Sequence, residues 1–296
     1  MDRALQAIYL GILIGTSGRY YMLRSDYRQY PTYPHGIVIH LSLGLIAAVL
    51  GSAAVPALIA REFTAVTFLA LAAQQFRDVR NIERKMLESL EQSELVPRGP
   101  DYIEGISRVF EARNYLVILI SIAVTTTALY LNNLAGAGVG ALAVLLAGRL
   151  MGGKKVKDIA RVRKGEIRFE GPNLFIENVH IMNLGTEEAR KKVLERGIGI
   201  IIEPFDDNAR ATLANTGQRQ AISHDAAAQL GVYRDVDTAE FMPLVRRDLD
   251  TGRIGFIILP IEKDFESLVK AIENVPVLES AYRMPLKSAA GKEAAD

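Results

Sequence analysis

The sequence predicts an α-helical transmembrane bundle of about five spans followed by a cytoplasmic α/β or α+β domain. Charge distribution is the first reason. Of 35 Lys and Arg, 22 lie after residue 152, as do 23 of the 34 Asp and Glu. A single soluble domain would spread its charges more evenly. The second reason is a set of five apolar runs before residue 152, one of them 25 residues long without a Lys, Arg, Asp or Glu, against the ~20 that cross a bilayer. The third is a change of period: after residue 165 short alternating or apolar stretches read as strands between helices.

Composition removes several function classes. Net charge is +1, so no global basic field attracts nucleic acid, and none is expected as a partner. There is no cysteine, which excludes disulfides, thiolate catalysis and Cys-based zinc sites. No P-loop, GxGxxG or HExxH occurs. The expectation is therefore a protein with no catalytic residue, no metal and no cofactor. Trp is absent, and Tyr20, Tyr21, Tyr27, Tyr30 and Tyr33 supply an interfacial belt in its place.

The chain divides into a transmembrane region at 1–152, with a stalk and loop at 77–114, a basic linker at 153–164, a cytoplasmic domain at 165–286 and a disordered tail at 287–296. The first run, Leu5 to Leu23, reads as a retained helix whose Gly11 and Gly15 admit a neighbouring helix. The second, Gly36 to Ala60, carries Pro56 near its end and His40 one turn inside, the latter a packing residue. The third, Phe63 to Phe76, is short; a tight turn at 60–62 is favoured over a re-entrant segment. It continues as an amphipathic stalk, with Val79, Ile82, Met86, Leu87 and Leu90 at helical spacing, and stops at Pro97, Gly99 and Pro100. Asp101 then caps a short helix. The fourth and fifth runs, Tyr115 to Leu131 and Leu134 to Met151, meet at Asn132–Asn133 as a hairpin. Gly136 and Gly140 make the fifth a helix-packing surface within a bundle or homo-oligomer. Basic residues alternate between successive connections, which puts the N-terminus outside and the C-terminal domain in the cytoplasm. The lipid bilayer is thus the first expected partner, and the bacterial inner membrane the location.

The stretch Asp101-Tyr102-Ile103-Glu104-Gly105-Ile106-Ser107 resembles the signature for which the YIEGIA family of bacterial membrane proteins is named, with Ser107 in place of Ala. The resemblance implies an endospore-forming, sporulation context and a small partner described as a capping complex subunit. It implies no reaction. Tyr102, Ile103, Glu104, Gly105 and Ile106 become the candidate assembly surface, because a short helix cannot bury that apolar face alone.

In the C-terminal half, residues 166–170 and 174–184 alternate as two strands about Gly171-Pro172-Asn173. Thr186 starts a helix that Gly197 ends. Residues 197–204 form an apolar strand, 207–231 are helical with a break at Asn215-Thr216-Gly217, and 240–249 are helical. Residues 254–261, 264–274 and 277–284 give strand, helix, strand. About five strands make the sheet. Ser223-His224-Asp225 holds triad residue types, but adjacent helix side chains diverge. Glu203, Asp206 and Asp207 end the apolar strand, where a magnesium site or, preferably, a helix cap is expected. Gln218, Arg219, Gln220, Asn215 and His224 form a polar set that could hold an anion or a phosphate. The leading expectation is a non-enzymatic anchor and scaffold of an oligomeric complex; a channel or transporter subunit, or a nucleotide or anion sensor, is the alternative.

Overall fold

A computed structural model describes residues 2–26, 34–151 and 153–294. Tyr27, Arg28, Tyr30 and Tyr33 lie outside them. The chain forms two compact units, one of residues 1–85 and 106–152, the other of residues 86–105 and 153–296.

The first unit is helical. It holds α1 (Arg3–Asp26), α2 (Pro34–Ile59), most of α3 (Phe63–Leu90), α4 (Pro100–Tyr130) beyond its first six residues, and α5 (Asn133–Leu150). The five-span bundle is not what these helices make. Among the described residues two helices are long and apolar enough to cross a membrane, α2 over Gly36–Ile59 and α4 over Pro100–Tyr130, and Asn133–Arg149 is a shorter apolar helix. The physical reason lies in where charge falls within helices that the apolar runs only partly fill. Helix α1 carries Arg19, Arg24 and Asp26 in its second half. The apolar part of α3 ends at Phe76, and Arg77, Asp78, Arg80, Glu83, Arg84, Lys85 and Glu88 follow in the same helix. Pro56 is accommodated inside α2, and the turn to α3 is tight, with Arg61 in the left-handed region at φ 55°.

Small residues bring α1 against α2 and α4. A Cβ added to Gly15 would lie 2.9 Å from Ala48 Cβ, and one added to Gly44 would run into the Arg19 side chain. Ser121 Oγ donates to the Gly11 carbonyl at 3.2 Å and Thr125 Oγ1 to that of Ala7 at 3.4 Å. These hydroxyls act as interhelical glue. Arg19 is fully buried. Its Nη1 donates to Asp26 Oδ2 at 2.6 Å and its Nη2 meets His40 Nδ1 at 2.9 Å. A guanidinium can only donate, so His40 Nδ1 accepts and the neutral ring carries its proton on Nε2. Phe110 lies edge-on to His40, with ring centroids 4.4 Å apart. Glu111 pairs with Arg80 at 2.9 Å. Asn132 caps α5 by accepting from Ala135 N at 2.8 Å.

The second unit is α+β, and all strand pairings among its described residues are antiparallel. β1 (Ala160–Lys164), β5 (Ile198–Pro204), β9 (Ile254–Ile258) and β8 (Leu244–Arg247) form a sheet in the order β1-β5-β9-β8. β2 (Ile167–Glu170), β3 (Asn173–Ile176) and β4 (Val179–Asn183) form a meander, and β6 (Arg234–Asp235) pairs with β7 (Thr238–Ala239). The central strands β5 and β9 are buried along nearly their whole length, as strands covered on both faces require. Ile176, Val179 and Ile181 of the meander pack with Ile201 and Ile257. Gly255 lets them in: a Cβ there would lie 3.0 Å from Val179 Cβ.

Helices α6 (Glu187–Arg196), α7 (Asp207–Leu213), α8 (Thr216–Leu230) and α9 (Phe265–Asn274) complete the unit, capped by Thr186, Asp206, Asn215 and Asp264. Five sequence expectations change here. Residues 174–184 split into two strands because Glu177 turns in the left-handed region at φ 52°. The end of the basic linker is the edge strand β1, since Val162 and Ala160 find buried positions beside β5. Residues 244–247 are a strand, because pairing with β9 overrides their helical propensity. Residues 277–284 form turns rather than a strand, and within the tail Ala289–Glu293 is a short helix, α10.

Candidate functional site: the signature joint

The signature does not form a short separate helix. Pro100 and Asp101 begin the 31-residue α4, and nothing between Ile106 and Asn114 breaks it. Gly99, at φ 82°, sets the entry. Pro100 at the first helical position has no N–H to satisfy. The orphan N–H of Tyr102 is met from far away in sequence: it donates to Gln220 Oε1 of α8 at 3.1 Å.

Around that bond the segment 96–105 lies against α8 and the turn after α9. A Cβ on Gly217 would lie 2.9 Å from the Asp101 carbonyl oxygen, and one on Gly99 would lie 2.5 Å from Gln220 Nε2. A Cβ on Gly105 would collide with the Ser280 hydroxyl. All three glycines are therefore contact points rather than hinges. His224 Nδ1 sits 2.6 Å from the Val96 carbonyl oxygen. A carbonyl can only accept, so Nδ1 carries a proton and donates it. Gln218, fully buried, donates to Pro276 O at 3.1 Å and accepts from Leu278 N at 2.8 Å. Arg219 donates to the carbonyls of Leu213 and Ala214 at the end of α7. Burial first, and Arg247 and Arg246 second, hold its pKa below the usual arginine value. Asp225 is pushed up by burial, an effect that His224 and Arg98 partly offset. Arg98 pairs with Glu91 and also takes that carboxylate on its backbone N–H at 2.6 Å.

Two predicted sites thus meet. Tyr102 and Ile103 of the signature are about 2–3% exposed, and the backbone that carries them is received by the polar face of α8 that was read as a ligand set. Gln218, Gln220 and His224 are occupied by the chain itself. Ser223 Oγ turns away to Pro243 O at 3.3 Å, so the triad types diverge. The acidic group divides among separate partners. Glu203 accepts from Arg163 at 2.8 Å, Asp206 caps α7 through Ala209 N at 2.7 Å, and Asp207 lies 4.0 Å from Arg210. Arg163 hydrogen-bonds both Glu177 and Glu203 and holds their carboxyls below the usual range. Gly136 and Gly140 face the helical unit's own interior. A Cβ on Gly136 would lie 3.0 Å from Ala128 Cβ, and one on Gly140 would lie 2.7 Å from Ile14 and Val124 methyls. Sequence reasoning missed Val96, Gly217 and Ser280. Gly217, next to the cap Asn215, was the one visible signal.

The chain is thus marked by an α+β unit organised around an internal signature. It belongs to the YIEGIA family: the family described as YIEGIA protein matches residues 7–288. The chain is 47% identical over 285 residues, 96% of each chain, to the Bacillus subtilis (strain 168) protein called uncharacterized protein YphB. No solved structure matches it.

Proposed function

We propose that this protein is a non-enzymatic anchor of the bacterial inner membrane that scaffolds an oligomeric complex and presents its α+β unit to a small capping partner, in a sporulation context. One observation carries the reading. Helices α2 and α4 are long and apolar enough to cross, and in the helical unit large apolar side chains face outward, among them Val38, Ile46, Leu58, Leu119, Leu142 and Leu145. Water-soluble monomers rarely expose contiguous apolar patches beyond a few hundred Å², and a bilayer would cover these side chains. Helix α2 and the hairpin of α4 and the shorter apolar α5 would lie in the bilayer, with α1 packed along α2 and α4. The basic run Lys154–Lys164 where it leaves supports a cytoplasmic α+β unit and an outside N-terminus. Gly138, on the open side of α5 with nothing near its Cβ position, offers a face for self-association.

Alkaline carbonate extraction and reporter fusions test the anchor. The protein should stay with the membrane pellet, with a cytoplasmic signal at the C-terminus and an outside signal at the N-terminus. Release into the carbonate supernatant would sink the proposal.

A further inference from the structure

Beside the signature joint, and wholly within the α+β unit, lies a cavity of about 320 Å³ between residues 93–96 and α8. Its walls are apolar, with Leu95, Val232 and Ile261 among them. Its polar side chains are three, Ser93, Glu94 and His224. His224 lines it, and with Nδ1–H committed to the Val96 carbonyl, the nitrogen that the neutral ring leaves to an occupant is Nε2, an acceptor. Ser93 lines it, and its hydroxyl proton is committed to the Leu90 carbonyl at 3.1 Å, leaving oxygen lone pairs. Glu94 lines it, and its exposed carboxylate has no side-chain hydrogen bond or ion pair among the described residues. No Lys or Arg contributes to the lining. The far wall is held in place, with Ile261 N donating to Gly231 O and Glu262 N to Leu230 O, both at 3.2 Å.

A largely apolar chamber whose side chains offer acceptors and one carboxylate, with no lysine or arginine among its lining residues, complements a donor-rich cation on an apolar body. We propose that this cavity is a binding site for a small organic ammonium ion. The ammonium would donate to His224 Nε2, Ser93 Oγ and the Glu94 carboxylate, which uses its three N–H groups, while its hydrocarbon part lies against Leu95, Val232 and Ile261. The size fits a pocket for a small molecule.

The test uses the purified full-length chain and three probes of one shape: 2-phenylethylammonium, neutral 2-phenylethanol and anionic 3-phenylpropanoate. Binding is read by saturation-transfer NMR and titration calorimetry. Two variants accompany the wild type. Ala228→Trp fills the cavity from an exposed helix position, and Glu94→Lys reverses the one charge at an exposed loop position. The ammonium should bind at least about tenfold more tightly than either other probe, and each variant should weaken it about tenfold or more. Circular dichroism confirms that both fold. Equal binding of the three probes would overturn the assignment. So would ammonium binding that survives either folded variant.

Discussion

His224 Nδ1 and the Val96 carbonyl oxygen lie 2.6 Å apart across 128 residues of sequence, and this bond ties the approach to the signature onto α8. It is buried at both ends, with His224 6% and Val96 6% exposed. Replacing His224 by Leu would strand the carbonyl, at a cost of about 1–3 kcal/mol. The Arg98–Gly99 bond should then be cut faster by trypsin, because the segment frees itself locally before the unit unfolds. A wild-type cleavage rate in the variant would show that the bond holds nothing in place.

Gly99 and Gln220 are expected to be energetically coupled. Gly99→Ala adds left-handed strain of roughly 1 kcal/mol and drives a methyl into the Gln220 amide. Gln220→Ala removes the acceptor for the Tyr102 N–H, a loss of about 0.5–2 kcal/mol by analogy with helix caps. In the double variant the collision is gone while the strain remains. The double-mutant cycle should therefore give less destabilisation than the sum, by at least about 0.5 kcal/mol. Additivity within error would refute the contact.

Arg163 should govern the acid limb of stability in the α+β unit. Its hydrogen bonds lower the Glu177 and Glu203 carboxyls in the folded state. A depressed folded value gives stability that is present above the unfolded value near about 4.3 and lost as pH falls through the folded one. Arg163→Met should make the melting temperature flatter with pH below about 5. An unchanged acid limb would count against this network.

Asp225 has the opposite sign. Burial raises its carboxyl, so its contribution is fully present below the unfolded value near about 3.9 and is lost as pH rises through the folded one. Asp225→Asn should raise the melting temperature at pH 7 while changing it little at pH 3. A variant that melts lower than wild type at pH 7 would contradict that sign.

Gly140→Leu should destabilise the helical unit by roughly 1–3 kcal/mol, as overpacked cores do, because Ile14 and Val124 already occupy the space a side chain needs. Gly138→Leu, facing open space, should leave the chain's stability within about 0.5 kcal/mol and, on the proposed reading of α5 as a self-association face, change only the masses seen on native mass measurement. Equal effects of the two on melting would mean that the two faces of α5 are not distinct.

Local signals in this sequence were legible where the cause is local. Thr186, Asp206 and Asp264 cap the helices they precede, Asn132 turns the α4–α5 hairpin, and the isoleucines of β5 read directly as a buried strand. Expectations failed where distant partners decide. Residues 244–247 become a strand only because β9 lies beside them, and Glu177 breaks a strand with a backbone angle that no composition displays. The number of spans was over-read because an apolar run can fill only part of a helix that also carries charge, as α1 does with Arg19, Arg24 and Asp26. The joint itself was visible as two unrelated halves, since no pattern within either segment announces that Gln220 will complete the first turn of α4.

That completion has a temporal side. The Tyr102 N–H and its acceptor on Gln220 are 118 residues apart, so a ribosome adding about 5–20 residues per second makes the signature roughly 6–24 s before it makes the helix that receives it. Over that interval Tyr102 and Ile103 have nothing from α8 to cover them. The nascent chain therefore passes through a stage in which its most characteristic segment is open to chaperones, proteases or an assembling partner, and that stage ends when α8 emerges and folds.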